Sequence, residues 1–217
     1  MRNKEKDEAE KAFRGQRAME SAFRLFSEKG IDLVTMPDIS ADSGVGRSSL
    51  YRYFSTKTDL VIAVGTWKWN EYMDAFDVAL AAEELADLPA AEQLRRYMDA
   101  FLDLYRNHSD ILRFNYFFNG FLRNEQISPE QIQPYMDVTE RARRIFFELY
   151  EKGAKDGSIR MDITGEAMFS GIFHIMLAAV TRYAVGLVYT PEMGSKPENE
   201  LALLENALLR EYTTVSE

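Results

Sequence analysis

Hydrophobic residues recur every three or four positions along most of the chain, which is the spacing of helices with one buried face. Signals for β-strands are nearly absent, since no turn dipeptide lies between two alternating runs. The pattern therefore predicts an all-α protein of nine or ten helices. The predicted helices cover residues 18–30, 35–44, 47–54, 57–82, 90–107, 110–124, 135–156, 164–187 and 198–212.

Capping residues and prolines predict several of the helix boundaries. Ser128 is a candidate N-cap with Pro129 at the first helical position, and it is predicted to open a short turn that ends before Pro134. Residues 191–197 are predicted to form a loop, and the charged segment 3–11 is expected to fray.

The stretch 35–54 predicts two short helices joined by a tight turn. Thr35 is a suitable N-cap, Asp38 lies three residues later, and Pro37 occupies the first turn, where its missing N–H costs nothing. Gly44 is expected to end this helix because glycine tolerates the positive φ of a C-terminal turn. Val45 is then expected to fill the turn. Two side chains of this helix are predicted to face inward: Ile39 and Ala41.

The second helix of this pair, residues 47–54, is predicted to be anchored by Leu50 and Phe54, which lie four positions apart on one face. Its other side chains are mostly hydrogen-bond donors. Two helices in this arrangement form a helix-turn-helix motif, which places its second helix in the major groove of DNA. Upstream, 18–30 is an amphipathic helix, and downstream 55–60 is predicted to cap and open a fourth helix.

Residues 18–60 together resemble the DNA-binding domain of the TetR family of bacterial transcriptional regulators. This resemblance covers about a fifth of the chain. Ser21, Ser40 and Ser43 stand where alanine is usual, and Gly46 replaces a common serine, which predicts a weak N-cap for the second helix. The residues that carry the resemblance are Leu25, Phe26, Gly30, Thr35, Asp38, Ile39, Gly44, Val45, Leu50, Tyr51, Tyr53, Phe54, Lys57 and Leu60.

The resemblance implies a division into two domains. Residues 1–56 would form a three-helix, helix-turn-helix DNA-binding domain, and residues 57–217 a helical bundle for effector binding and dimerisation. A homodimer would bind a palindromic operator in double-stranded DNA, and repression is the expected outcome. An effector inside the bundle would shift the fourth helix and so change the spacing of the two recognition helices.

Composition and charge narrow the function classes. The chain has 217 residues, 46% of them hydrophobic, and no cysteine, which excludes disulfides, thiolate catalysis and cysteine-ligated zinc. The net charge of −9 does not by itself suggest a DNA-binding protein. Residues 1–60, however, hold 11 basic and 10 acidic residues, whereas the remainder holds 15 basic and 25 acidic ones. The acidic charge is therefore expected to lie away from the DNA-binding surface.

The sequence predicts a cytoplasmic, nucleoid-associated protein with no membrane partner. The charged start of the chain does not have the pattern of a signal peptide. The most apolar stretch, 167–188, contains Ser170, His174, Thr181 and Arg182, and is predicted to be a buried helix and not a membrane span.

Three groups of candidate functional residues follow. The DNA-binding group combines the donors of the second helix with expected phosphate contacts: Thr35, Arg47, Ser48, Ser49, Tyr51, Arg52, Tyr53 and Lys57. The effector group is a set of aromatic residues that could line a pocket for an apolar or aromatic small molecule, although most aromatics of a helical bundle are core: Trp67, Phe101, Tyr105, Phe114, Phe117, Phe118, Phe147 and His174. Further polar candidates for that pocket are Asn115, Asn119, Arg182 and Tyr183.

The dimer group comprises apolar stripes on the last two long helices, which pair with their symmetry mates in TetR-like proteins. Packing inside the subunit is the alternative explanation of the same stripes. The predicted interface residues are Phe169, Phe173, Met176, Val180, Leu201, Leu204 and Leu208.

No catalytic, metal or cofactor motif is present. His108 and His174 are the only histidines, and neither stands in a metal-binding spacing. Nucleophile-elbow, phosphate-loop and dinucleotide motifs are also absent, so the sequence predicts neither an enzyme nor a bound cofactor. Two alternatives remain open: a regulator that has no small-molecule effector, and a helical ligand-binding protein or enzyme with a purely structural helix-turn-helix.

Overall fold

The computed structural model describes residues 4–80, 85, 87–187 and 196–214, and within them the fold is all-α, as predicted. One isolated antiparallel bridge joins Ile159 to Thr213. The helices of this described part are α1 (Lys4–Lys29), α2 (Met36–Ser43), α3 (Arg47–Tyr53), α4 (Lys57–Leu80), α5 (Ala90–Asn107), α6 (Ser109–Asn124), α7 (Pro129–Asp156), α8 (Gly165–Ala184) and α9 (Pro197–Tyr212). The predicted loop 191–197 lies largely outside the described residues.

Reciprocal capping boxes fix the starts of α2 and α4. The backbone N–H of Thr35 donates to the Asp38 carboxylate at 2.9 Å, and the N–H of Asp38 donates to the Thr35 hydroxyl at 3.3 Å. Thr56 and Asp59 repeat this pair at the start of α4, with both distances 3.0 Å. Each box satisfies two backbone donors that a helix start would otherwise leave unpaired. Gly44 ends α2 at φ 69°, the left-handed conformation expected there.

Two predicted helix starts differ from the structure. Ser128 caps a helix as predicted, since its hydroxyl accepts from Gln131 N at 3.3 Å, but α7 then continues through Pro134. Pro134 is exposed and lies near the start of a long helix, so the loss of one backbone hydrogen bond there is tolerated. At the other end of the chain, α1 begins at Lys4, within the segment that was expected to fray.

The apolar helix α8 is not the buried helix that the sequence predicts. Among the described residues it is the one helix long and apolar enough to cross a membrane by length and composition, but only 22% of its most apolar window is buried inside the chain. Its composition is apolar around most of its circumference, so one stripe packs inward and the remainder stays exposed.

The chain divides into two compact units. Unit 1 comprises Met1–Trp69 and Arg113–Met136, and unit 2 comprises Asn70–Leu112 and Asp137–Glu217. This division differs from the predicted domain boundary at residue 56, because the first half of α4, most of α6 and the start of α7 belong with the helix-turn-helix.

Aromatic residues from α6 complete the core of unit 1. Phe114 and Phe118 are fully buried and stack with ring centroids 5.4 Å apart, and Phe114 also lies 6.4 Å from Phe26 of α1. Gly65 of α4 lets this pair approach closely, since a Cβ at that position would meet the Phe118 ring at 3.2 Å. A larger residue at 65 would therefore push α4 away from α6.

Unit 2 has its own aromatic core. Phe146 of α7 is fully buried and lies 5.8 Å from the ring of Tyr97 on α5 and 5.4 Å from that of Phe169 on α8. Burial raises the pKa of Tyr97, because the phenolate form would lose its hydration there. Phe101 of α5 meets Phe173 of α8 at 5.9 Å. Helix α9 packs on both α5 and α8.

One carboxyl group lies in this second core. Glu205 of α9 is only 5% exposed, and its Oε1 has no hydrogen-bond partner. Burial and, to a smaller extent, the negative charge of Asp99 on α5 raise its pKa to about 7, against the opposing effect of Arg95 and Arg106. A carboxyl whose pKa is raised by folding stabilises the fold below its unfolded pKa, and that contribution is lost as the pH rises through the folded value.

We expect Glu205→Gln to raise the free energy of unfolding at pH 8 by on the order of 1–3 kcal/mol, because it removes a buried charge with an unsatisfied oxygen. Thermal unfolding measured between pH 5 and pH 8 should show the wild type losing stability as the pH rises, with a smaller loss in the variant. Glu198→Gln, on the exposed side of α9, is the control and should keep the wild-type slope. Identical slopes for Glu205→Gln and the wild type would contradict the assignment.

Candidate functional site

Helix α3 presents a row of polar side chains to solvent. Arg47, Ser48 and Arg52 are exposed, and Tyr51 is 49% exposed, whereas Leu50 is fully buried and anchors the opposite face. As predicted from Gly46, no side chain caps the start of this helix. The donors predicted to contact DNA therefore lie together on one exposed surface.

Some of these residues also interact with one another. The Arg52 guanidinium lies 5.4 Å from the centre of the Tyr53 ring and donates to Ser49 Oγ at 3.3 Å. Thr35 is exposed, but its hydroxyl also donates to Asp38 at 2.6 Å, so this group takes part in the helix cap. Arg47 and Ser48 have no such partners among the described residues, which leaves their donors available.

Hydrogen bonds of three serines hold the turn and orient α2. Ser40 Oγ donates to the carbonyl of Val45 at 2.7 Å, and Ser43 Oγ donates to the carbonyl of Ile39 and accepts from Val45 N at 3.2 Å. Ser21 of α1 donates to the carboxylate of Asp42 on α2. Ile39 and Val45 are buried as predicted, but Ala41 is exposed, because only one face of this short helix reaches the core.

Two arginines of α1 complete this attachment. Arg24 forms an ion pair with Asp42, and Arg17 donates to the carbonyl of Ser43 at the end of α2. The hydrogen bond from Ser21, together with that from Arg24, holds the pKa of Asp42 below its usual value. The sequence did not predict these roles of Arg17, Arg24 and Asp42. The one indication of polar contacts around α2 was the presence of serine at 21, 40 and 43, where alanine is usual.

Lys57, the first residue of α4, is half-buried. Its ammonium group lies 5.9 Å from the centre of the Phe121 ring, a cation–π contact. Burial lowers the pKa of Lys57, although Asp32 and Glu125 oppose the shift.

A hydrogen bond joins the starts of α4 and α7. Gln131 of α7 donates at 3.1 Å to the oxygen of Asp59 that is not used in the capping box of α4.

The eight residues of the predicted effector pocket divide equally between the two units. Trp67, Phe114, Phe117 and Phe118 belong to unit 1, and Phe101, Tyr105, Phe147 and His174 belong to unit 2.

Several of these residues are packed inside the subunit. Phe114, Phe118 and Phe101 are core side chains, which is the alternative that the sequence left open. Phe117 lies against Gly30, whose added Cβ would meet the ring at 3.2 Å. His174 is exposed and pairs with Ser170 at 3.2 Å.

Other members of the set take part in polar or ring contacts. Trp67 lies under the ammonium group of Lys68 at 4.3 Å, Phe147 lies under the guanidinium of Arg143 at 4.7 Å, and Tyr105 meets Tyr183 at 6.1 Å. Each of these rings already contacts a neighbouring side chain of its own unit.

Most residues of the predicted dimer interface pack inside the single chain. The structure buries Met176, Val180, Leu201 and Leu208 there. Phe169 and Phe173 stack on each other at 5.3 Å within the aromatic core of unit 2. These stripes are the inward faces of α8 and α9. The outward faces instead carry Ala167, Ser170, His174, Ile175 and Ala178 on α8, and Leu203 and Ala207 on α9.

Unit 2 contains a cleft of about 520 Å³ between α4, α5 and α7, hereafter called the cleft. Sequence reasoning missed it, although its α7 residues recur at helical spacing on one face. Its lining residues are Asp77, Leu85, Gln93, Arg96, Arg141, Arg144, Ile145, Glu148, Leu149 and Lys152.

Comparison with known proteins identifies the family. The model of the family described as "Bacterial regulatory proteins, tetR family" matches residues 18–64. The repressor LfrR of Mycolicibacterium smegmatis is 31% identical over 159 residues, which cover 61% of this chain and 76% of LfrR. This chain belongs to the TetR family. It is therefore a DNA-binding, helix-turn-helix transcriptional regulator.

Two further comparisons of this TetR-family chain have lower sequence identity. The uncharacterised regulator YerO of Bacillus subtilis is 20% identical over 75% of this chain, and the match spans 55% of YerO's own length. The crystal structure of FadR from Bacillus subtilis, in complex with stearoyl-CoA, shares the fold with a TM-score of 0.68 at 17% identity. That likeness covers 90% of this chain and 95% of FadR.

We expect Asp42→Ala to lower the free energy of unfolding by about 1–2 kcal/mol near pH 7, because α2 loses its hydrogen bonds to Ser21 and Arg24. Since the pKa of Asp42 is lowered by folding, its contribution is present above its unfolded pKa and is lost as the pH falls through the folded value. Denaturant titrations at pH 7 and at acidic pH would measure both effects. Glu28→Ala removes the other carboxylate near Arg24, and an equal loss there would argue against a specific role for Asp42.

Proposed function

We propose that the protein is a homodimeric repressor that binds a palindromic operator through α3 and leaves it when a small-molecule effector binds unit 2. The observation that carries this proposal is the exposed donor surface of α3 on a helix-turn-helix that α1 holds by specific hydrogen bonds. A helix whose only purpose was packing would not need that row of arginine, serine and tyrosine side chains.

The charge distribution supports the same assignment. Unit 1 contains 14 basic and 12 acidic residues, whereas unit 2 contains 12 basic and 23 acidic ones. Phosphates therefore attract the unit that carries α3, and the acidic charge of unit 2 opposes non-specific adsorption of the remainder of the molecule to DNA.

Individual residues then take different roles at the DNA. Arg47 and Ser48 read base edges, because their donors have no partner within the described residues. Tyr51 and Thr35 contact phosphates at the ends of the motif. Arg52 and Ser49 already share a hydrogen bond, so they act as a pair, with Tyr53 packed against the guanidinium. Lys57, whose ammonium group packs over the Phe121 ring, contributes positive charge near the DNA phosphate backbone.

The outward faces of α8 and α9 form the dimer contact in this proposal. Helix α8 is apolar, yet most of it is uncovered in a single chain, and Ile175 and Leu203 are 42% and 71% exposed. Small residues at 167, 170 and 178 would let a second helix approach closely. A two-fold dimer also matches the two-fold symmetry of a palindromic operator.

Two observations support a small-molecule effector: the ligand in a structural relative, and the cleft in unit 2. The FadR structure that shares this fold holds stearoyl-CoA, and the cleft has a volume within the range of small-ligand pockets. Release follows if the effector binds more tightly to the conformation that has lower affinity for DNA. Such a regulator acts on DNA in the bacterial cytoplasm.

For DNA binding, Arg47→Ala should weaken the specific complex by about 1–3 kcal/mol if the guanidinium reads a base. Lys57→Ala should weaken specific and non-specific DNA about equally and reduce the salt slope by about 1. The measurement is a fluorescence titration of the operator selected from random DNA, at two or more salt concentrations. Lys155→Ala, at the exposed end of α7, removes the same charge far along the chain and should have no effect. An Arg47→Ala, Lys57→Ala double variant with wild-type affinity would refute the assignment.

For assembly, Ile175→Glu combined with Leu203→Glu should convert the dimer to monomers, because carboxylates buried in an apolar contact are costly to desolvate. Sedimentation velocity gives the oligomeric state, and circular dichroism verifies the fold. Val78→Glu with Met161→Glu places the same charges at two other exposed apolar positions of unit 2 and should leave a dimer. If the first pair also remains dimeric while folded, the interface lies elsewhere.

A further inference from the structure

We propose that the cleft binds an amphiphile that carries an anionic head group, a carboxylate or a phosphate ester, on an apolar chain. This inference names the chemical class of the effector and therefore rests on the proposed function. It also departs from the apolar or aromatic effector that the sequence suggested, because the cleft, which is partly open to solvent, is lined by charged, amide and aliphatic side chains and not by aromatic rings.

The charge of the cleft is opposite to that of the unit around it. Unit 2 has a net charge of −11, yet four of its 12 basic residues and only two of its 23 acidic residues line the cleft. A random sample of this surface would be acidic. The local excess of positive charge lowers the free energy of a bound anion.

The four basic residues do not have the same role. Arg141 is committed to α4, since it forms ion pairs with both Asp74 and Asp77, and hydrogen bonds to these carboxylates raise its pKa. Its guanidinium therefore ties α7 to α4.

Of the other three cations, Arg144 and Arg96 can bind a ligand anion. Arg144 is exposed and has no hydrogen bond or ion pair among the described residues. Arg96 pairs with Asp99 at 3.4 Å, with both side chains well exposed, and an ion pair of that kind is weak enough to exchange for a ligand oxyanion. Lys152 lies on the same face of α7, two turns beyond Arg144.

The apolar part of the lining favours an amphiphile over a simple inorganic anion. Leu85, Ile145 and Leu149 contribute to the wall, and the two α7 residues among them alternate with the charged ones along the same helical face. A solvated ladder of opposite charges at i, i+4 would account for Arg144, Glu148 and Lys152. It would not account for an apolar wall in a space large enough to hold a small ligand.

Helix α7, which carries six of the ten lining residues, and α4, which contributes Asp77, both begin in unit 1. Helix α4 runs from Lys57 to Leu80, and α7 starts at Pro129, where Gln131 meets Asp59 in the first turn of α4. Arg141 joins the same two helices beside the cleft. An anion bound in the cleft lies against both helices, so its affinity depends on the separation of α4 and α7 that the Arg141 ion pairs set.

The test uses the full chain with decanoate, decyl phosphate and uncharged decan-1-ol as probes, measured by titration calorimetry and thermal unfolding. Decanoate or decyl phosphate should bind, raise the melting temperature and weaken operator binding, and decan-1-ol should bind at least tenfold more weakly. Arg144→Gln with Lys152→Gln should lower the affinity for the charged probe at least tenfold. Lys155→Gln with Lys196→Gln, which removes two exposed charges outside the cleft, should leave it unchanged.

The outcomes separate this inference from the proposed function. Equal binding of decanol and the anions, or equal affinity in the two double variants, would overturn the inference even if the protein binds its operator. Absence of binding by both charged probes would overturn it as well. Failure to bind any operator would refute the proposed function, whereas calorimetric binding that depends on Arg144 and Lys152 would still establish the site.

Discussion

The three helices of the DNA-binding motif, α1–α3, depend on aromatic side chains that lie outside them. A three-helix segment of fewer than 60 residues buries too little apolar surface to be very stable alone. In this chain Phe114 and Phe118 of α6 supply the missing surface, stacked on each other and covering Phe26 of α1. Gly65 permits the contact by leaving room for the Phe118 ring. The position of α3 thus depends on a helix almost 60 residues further along the chain.

Features that depend on near neighbours could be predicted from the sequence. The capping boxes at Thr35 and Thr56, and the left-handed Gly44, involve residues within three or four positions of each other. Such features are nearly independent of the remainder of the fold. The exposed donors of α3 followed from the same local pattern, because Leu50 fixes which face of that short helix is buried.

Features that depend on distant residues could not be predicted. The bonds from Ser21 and Arg24 to Asp42 join residues about 20 positions apart, and a sequence pattern does not specify such pairs. Helix α8 presents a different difficulty. Because it is apolar on nearly every side, the pattern gives no reason to choose Met176 and Val180 for the inside and Ile175 for the outside. The cleft requires α4, α5 and α7 to be placed before its lining residues can be recognised.

The shared core of unit 1 limits how this regulator can be rebuilt from parts. A chimaera that carries residues 1–56 on a foreign C-terminal body would strip Phe23 and Phe26 of their partner Phe114, which lies 5.6 and 6.4 Å from their rings. Exchange of DNA specificity between members of the family would therefore succeed only when the first half of α4 and the aromatic face of α6 travel with the recognition helix. Natural recombination at residue 56 would break the same aromatic contacts. We therefore expect the helix-turn-helix and α6 to be inherited together.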